Sequence, residues 1–192
     1  MEQTITNGTA KIAAQVILES AQEMFGTQPC GGYSQPEIQH INDVTALLNS
    51  LEDTYGPTGA HGLAQRFGKT VFRHGLRQLG GKAGFRAMEY RILPSPRRVE
   101  VGLAALADMV ASSTGEKITL SEDAAHWIWR TENCQECGSR LVAEPCCFAL
   151  VGLIQEFAAW ASGGRFYRVV ETECRAAGAA ACIFYIDKKP LD

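Results

Sequence analysis

Six of the seven cysteines lie in the last third of the chain, and any fold of this sequence has to place them. They are Cys134, Cys137, Cys146, Cys147, Cys174 and Cys182. The number of cysteines is odd, most of them are clustered, and a chain of 192 residues can bury a core without disulfide bonds. A reducing compartment therefore fits this sequence better than a disulfide framework does. Three sulfurs and a carboxylate held together in a folded chain suit a divalent metal, above all Zn²⁺.

The spacing around Gly178 bears on where such a metal would lie. In a strand, residues three apart face opposite sides, so Glu171 and Cys174 can share a metal only if the strand ends or bends between them. A turn at Gly178 would bring Cys182 back to the same end, and the cysteine doublet at the start of the preceding helix would supply a fourth ligand. Two cysteines separated by seven residues are not a recognised zinc signature, so small buried cysteines remain the alternative interpretation.

The periodicity of apolar residues predicts a helical first half followed by a small sheet. Helical spacing, with glycine or proline at the ends, occurs in residues 9–25, 36–55, 58–79, 82–93 and 99–110. The period then changes, and β-rich segments at 117–123, 126–130, 166–172 and 182–186 flank a helix at 145–162. We therefore expect one α+β domain, with N-terminal helices (1–114) packed on a small antiparallel sheet (115–192) that contains the cysteines.

Charge and hydropathy argue against two classes of partner, nucleic acids and membranes. The formal net charge is −3, and a helical row of Arg66, Lys69, Arg73 and Arg77 is interpreted as a solvated face, so we expect no nucleic-acid binding. No stretch has the length of a membrane span, and the polar first residues do not resemble a secretion signal. We therefore expect a cytoplasmic protein without a membrane span.

Some isolated features have simple interpretations. The segment from Gly62 to Thr70 ends like a phosphate-binding loop, but five residues instead of four separate Gly62 from Gly68, and no strand precedes it. Cys30 is interpreted as a small buried residue. His40, His61 and His74 lie in helical segments and are interpreted as surface or satisfied core residues.

One set of spacings resembles a known family: Cys147-x4-Gly152, then Glu171-x2-Cys174-x3-Gly178-x3-Cys182-x-Phe184. The pattern resembles the 4-vinyl reductase domain, found in bacteriochlorophyll-pathway proteins and stand-alone hydrocarbon-binding proteins. It is also similar to the sensory domain of bacterial activators that detect phenols and other aromatics. The resemblance covers roughly residues 115–187; upstream, only the helical layout is similar.

The resemblance implies a fold related to haem-NO-binding and vesicle-tethering domains, in which helices and a small antiparallel sheet enclose an apolar pocket. It also implies a Zn²⁺ held by three cysteines and one glutamate, here Cys147, Glu171, Cys174 and Cys182. Cys146 is an alternative to Cys147, although the spacing to Gly152 favours Cys147. Four protein ligands would make this metal structural rather than catalytic.

Two features lie outside the metal pattern. His126, Trp127 and Trp129 are of the residue types that the phenol sensors place at their ligand, but two tryptophans on one face of a strand are more often core packing. The pair Cys134 and Cys137 is extra, and three interpretations stay open. It could bind a second metal with Cys146, form a redox pair, or rigidify a loop.

We expect the chain to be a zinc-stabilised domain that binds a small apolar or aromatic ligand, is sensory or ligand-carrying, and forms a homodimer. Four protein ligands leave no open catalytic position, so an enzyme is the weaker hypothesis. One alternative is an enzyme or accessory in chlorophyll 4-vinyl reduction, although neither a dinucleotide-binding turn nor a flavin signature is present. The other alternative is a scaffold subunit.

Overall fold

The computed structural model describes residues 8–25, 41–138 and 140–191, with backbone alone at 41–45. Its elements in chain order are α1 (Gly8–Phe25), α2 (Ile41–Leu79), α3 (Met88–Arg91), α4 (Ser95–Thr114), β1 (Ile118–Glu122), β2 (His126–Thr131), α5 (Phe148–Ser162), β3 (Val169–Glu173), a 3₁₀ turn (Arg175–Ala177) and β4 (Cys182–Asp187). Cys30, Pro36 and His40, and with them the predicted start of the second helix, lie outside the described residues.

The four strands form one antiparallel sheet in the order β1-β2-β4-β3. Side chains along β2 and β4 alternate between a fully buried and a less buried face, as expected when one face of a sheet covers a core. The buried face presents Trp129, Phe184 and Ile186, which share a core with Leu106 of α4 and Phe157 of α5. The predicted α+β architecture, with helices on a small antiparallel sheet, is confirmed.

The helical half differs from the prediction in two places. A predicted break near residue 56 is a kink within α2, because Gly56 alone leaves helical backbone (φ 68°, ψ 169°) and Pro57 resumes the helix. A predicted helix at 82–93 is reduced to α3, because residues 80–86 form successive turns with Gly84 at a φ of 76°.

Helix α5 begins at a later residue than predicted, and the non-helical segment before it contains two cysteines. We expected a start at Pro145, but the first helical residue is Phe148, and Cys147 before it has non-helical backbone angles (φ −90°, ψ 58°). Both Cys146 and Cys147 are buried outside the helix. The extra non-helical residues therefore place two sulfurs in the interior at the N-terminus of α5.

Two glycines allow α2 and α5 to cross in backbone contact. A Cβ atom added at Gly68 would lie 1.8 Å from the carbonyl oxygen of Ala149, and one at Gly152 would lie 2.0 Å from that of Gln65. Small residues at such positions let helix backbones approach closely. Gly68 is therefore a packing residue within α2 and not part of a phosphate-binding loop, in agreement with the sequence argument.

None of the helices in the described part of the chain combines the length and the apolar character that crossing a membrane requires.

Candidate metal centre

The six described cysteines converge on one buried site at the N-terminus of α5. They come from four segments: the loop after β2 (Cys134, Cys137), the residues before α5 (Cys146, Cys147), the end of β3 (Cys174) and the start of β4 (Cys182). All six are free thiols and all are buried, with at most 7% of the residue exposed. The fold thus collects sulfurs that are far apart in the sequence without joining them covalently.

The spacing between these sulfurs matches a metal–thiolate centre. The Sγ–Sγ distances are 3.6 Å for Cys134–Cys147, 3.7 Å for Cys137–Cys182, 3.7 Å for Cys146–Cys174, 3.8 Å for Cys147–Cys182, 3.9 Å for Cys147–Cys174 and 3.9 Å for Cys174–Cys182. A tetrahedral zinc with Zn–S bonds of about 2.3 Å has ligand sulfurs about 3.8 Å apart. Three sulfurs, those of Cys147, Cys174 and Cys182, form a nearly equilateral triangle of this size.

A β-bulge brings Glu171 to the same side as Cys174. In the pairing of β3 with β4, Glu171 lies opposite Phe184 and Glu173 opposite Ile183, so one residue, Thr172, is extra. Glu171 points inward, Thr172 and Glu173 are exposed, and Cys174 is buried again. This is the bend that the i, i+3 spacing of Glu171 and Cys174 requires.

The two carboxylate oxygens of Glu171 have different surroundings. Oε2 accepts a hydrogen bond of 2.7 Å from the backbone N–H of Cys147. Oε1 is buried and has no hydrogen-bond partner among the described residues. Since buried polar atoms are nearly always satisfied, this oxygen is a fitting ligand atom for a cation.

Burial and a bound cation would have opposite effects on the protonation of the donors. Burial raises the pKa of the Glu171 carboxyl and the pKa of the Cys174 thiol, because the charged forms lose their hydration. A divalent ion among these groups reverses that tendency, since it binds thiolates and carboxylates and displaces their protons. The donors therefore fit a zinc ion, which would give the site a closed, structural coordination shell.

Glu136, a residue that the sequence analysis did not single out, holds the Cys134–Cys137 loop against α5. Its carboxylate accepts hydrogen bonds from the backbone N–H groups of Ala149 (2.7 Å) and Leu150 (2.8 Å), in the first turn of the helix. Burial raises the pKa of Glu136 to about 8 in spite of these two bonds. No local signal identifies such a cap, because the acceptor belongs to another segment of the chain.

Six of the seven residues predicted for metal sites form two overlapping groups of four. Cys147, Glu171, Cys174 and Cys182, the set that the resemblance implies, have ligand atoms within 4.8 Å of one another. A second group with the same property consists of Cys134, Cys137, Cys147 and Cys182. Cys146 belongs to neither group, although its Sγ lies 3.7 Å from that of Cys174. The ligand atoms of the cysteine pair thus group with those of Cys147 and Cys182, and neither group includes Cys146.

The aromatic candidates lie elsewhere, in the sheet. Trp129 is 0% exposed, and its indole N–H donates a 2.9 Å hydrogen bond to Oγ1 of Thr131. Trp127 is buried against Tyr167. His126 is half-buried, with its ring 3.1 Å from a carboxylate oxygen of Asp123. These contacts are those of core and surface packing.

His61 and His74 each contact a side chain of a neighbouring helix, which explains their positions. The ring of His61 stacks on Phe148 with centroids 3.8 Å apart. The ring of His74 lies 2.6 Å from Oε2 of Glu23. Both belong to the packing of α2 against its neighbours.

Replacing Thr131 by Val tests the packing role of Trp129. The change keeps the side-chain shape but leaves the buried indole N–H without its acceptor, so we expect a loss of about 1–3 kcal/mol in the free energy of unfolding. The matched control is Thr119→Val, at an exposed position of the neighbouring strand, which should change stability by less than about 0.5 kcal/mol. Urea denaturation measures both, and equal effects would contradict the packing role.

A partly open apolar cavity lies between the helices and is separate from the cysteines. It has a volume of about 100 Å³ and lies among α1, α2, α4 and α5, with walls that include Val16, Ile17, Val71, Leu106, Met109 and Leu153. The hydroxyls of Ser113 and Thr114, which also line it, donate hydrogen bonds to carbonyls of their own helix. His126, Trp127 and Trp129 do not line this cavity.

Comparison with known proteins gives matches of structure alone. No protein-family model and no curated relative matches the sequence. The phenol-responsive sensory domain of the transcription activator PoxR, solved with phenol, matches 81% of this chain and 78% of its own at 20% identity and a TM-score of 0.53. An H-NOX protein from S. oneidensis in the Fe(II)NO state matches 94% of this chain and 98% of its own at 12% identity and a TM-score of 0.57.

A vinyl-4-reductase family protein from Methanocaldococcus jannaschii aligns with the whole of both chains at 14% identity, with a lower TM-score of 0.47. Identities this low establish a common fold and not a common activity. The relationship predicted from the cysteine and glycine spacings is confirmed at this level: the chain has the fold that the phenol-responsive sensory domain and the H-NOX proteins share.

Proposed function

We propose that the chain is a sensory or ligand-carrying domain that binds a small apolar or aromatic molecule and is stabilised by zinc. The observation that carries the proposal is the apolar cavity among α1, α2, α4 and α5, in a fold that a phenol-binding sensory domain also has. An apolar cavity of about 150 Å³ in another protein holds benzene. The volume of about 100 Å³ here is smaller, so a ligand of the size of a single small ring is the largest that the cavity would take without widening.

Zinc has a structural role in this proposal. The ligands would be Cys147, Glu171, Cys174 and Cys182, whose ligand atoms lie within 4.8 Å of one another. When bound, the ion supplies four strong bonds between chain segments and no open position for substrate. The fixed segments are the N-terminus of α5, the end of β3 and the start of β4.

Helix α5 connects the two sites. Cys147 lies at its N-terminus, and Leu153, six residues later, forms part of the cavity wall. At a rise of about 1.5 Å per residue, the two positions are about 9 Å apart along the helix axis. The metal therefore fixes the position of a helix that contacts the ligand.

Phenol and toluene are suitable probes, and an Ala13→Leu variant tests the location of the site. Ala13 lines the cavity, so a larger side chain there is expected to fill it and to weaken binding about tenfold or more. The matched control is Ala104→Leu, on an exposed position of α4 outside the cavity wall, which should leave the affinity unchanged. Isothermal titration calorimetry measures both.

Two outcomes of this titration would overturn the proposal. One is an absence of binding of either probe to the unaltered chain. The other is binding that Ala13→Leu and Ala104→Leu affect equally, because the ligand would then occupy a different part of the molecule.

A further inference from the structure

The two groups of four metal donors share two of their members, Cys147 and Cys182. We propose that the centre holds two zinc ions, bridged by the thiolates of these two cysteines. The first ion has Cys174 and Glu171 as its remaining ligands, and the second has Cys134 and Cys137. The inference rests on the proposed zinc site and adds a second ion to it.

The sulfur separations fit two tetrahedra that share an edge, since all ligand atoms within each group of four lie within 4.8 Å of one another. The shared edge is the 3.8 Å separation between the sulfurs of Cys147 and Cys182. On one side, Cys174 is 3.9 Å from each of them. On the other side, Cys134 is 3.6 Å from Cys147, and Cys137 is 3.7 Å from Cys182. Each distance is close to the edge of about 3.8 Å that tetrahedral zinc–thiolate geometry requires.

The terminal pair has the features of a preformed chelate. Cys134 and Cys137 are separated by two residues, the spacing that zinc sites commonly use. Both are buried, at 2% and 0% exposure. Their loop is fixed from two sides: Glu136 accepts from the first turn of α5, and Oε1 of Glu116 accepts a 2.7 Å hydrogen bond from the backbone N–H of Gln135.

Charge balance permits the second ion. A second divalent cation brings two positive charges and recruits two further thiolates, so the binuclear form buries no more net charge than the mononuclear form. Without a second ion, Cys134 and Cys137 would remain thiols. Two weak hydrogen-bonding groups would then lie against the ligand sulfurs of the first ion.

The short distance between the sulfurs of Cys147 and Cys182 argues against an iron–sulfur cluster. In a two-iron cluster, inorganic sulfides lie between the metals, and cysteines are terminal ligands. Here the central positions already belong to the sulfurs of Cys147 and Cys182, which lie 3.8 Å apart. Thiolate-bridged zinc is the chemistry that the donors fit.

Native mass spectrometry of the purified chain, combined with metal analysis, tests the proposal. The unaltered chain is expected to carry two zinc ions, and the double variant Cys134→Ser with Cys137→Ser to carry one. The matched control, Cys146→Ser, removes a buried sulfur that belongs to neither donor group and should leave two. Loading with ¹¹³Cd adds a test of bridging: two resonances should appear, split by each other through the shared sulfurs.

The outcomes separate this inference from the zinc site of the proposed function. One zinc in the unaltered chain, retained in the double variant and lost in Cys174→Ser, overturns the second ion and leaves the first in place. A metal-free chain overturns both. Two cadmium resonances without mutual splitting, or bound iron, overturn the bridged zinc centre. The number of bound zinc ions and the splitting of the cadmium resonances are measured on the unaltered chain. Both therefore test the proposal even if a variant fails to fold.

Discussion

Removal of zinc by a chelator is expected to lower the unfolding temperature of the chain by about 10–20 °C. Without a cation, the centre leaves buried thiols beside the Glu171 carboxyl, whose Oε1 has no partner among the described residues. Structural zinc contributes about 10–16 kcal/mol in small zinc-binding peptides. A loss of about 5 kcal/mol would already produce the expected shift in a domain of this size.

Differential scanning calorimetry before and after chelation measures this effect, with metal content followed by mass spectrometry. Re-addition of zinc should restore the original transition. Cys146→Ser is again the matched control, because its sulfur is in neither donor group, and its transition should respond to the chelator as that of the unaltered chain does. A metal-depleted chain that unfolds at the original temperature would contradict a structural role for the metal.

Gly152→Ala and Gly68→Ala are each expected to destabilise the chain by about 3 kcal/mol. The added methyl group would lie 2.0 Å from a carbonyl oxygen of α2 in the first case and 1.8 Å from one of α5 in the second. Backbone atoms cannot rotate away as side chains do, so the two helices would have to separate. Such a separation would loosen the core on both sides of the crossing.

The matched control for the crossing is Gly62→Ala, in the same helix as Gly68. A Cβ atom there has no neighbour within 4 Å, and alanine is the better helix former, so we expect a gain of about 0.4–1 kcal/mol. Urea denaturation measures all three variants. Similar effects at positions 62 and 68 would contradict the close crossing.

The sequence was informative where spacing and chemistry coincide. The family resemblance implied a common site for Cys147, Glu171, Cys174 and Cys182, and the structure brings their ligand atoms within 4.8 Å, although metal binding itself stays a prediction. The change of period near residue 117 predicted where the helices give way to the sheet. Both signals lie in the order and spacing of residues along the chain, so they can be read without knowledge of the packing.

Features that depend on packing could not be predicted in the same way. Apolar periodicity shows which face of a helix is buried, but not that four such faces leave a cavity of about 100 Å³. The role of the cysteine pair had three open interpretations, and only the folded loop, held by Glu136, shows that its ligand atoms group with those of Cys147 and Cys182. The division at residue 114, the homodimer, the cytoplasmic location and the absence of nucleic-acid binding stay predictions.

The two carboxylates at the start of α5 have a consequence for the order of folding. Helices commonly complete their first turn with an acceptor from the preceding few residues. Here the first-turn acceptor is Glu136, 13 residues before Ala149, and the N–H of Cys147, just before the helix, donates to Glu171, 24 residues further along. The first turn of α5 is therefore completed only when the loop after β2 has arrived, and the residue before it is satisfied only when β3 has arrived, so both are non-local events in assembly.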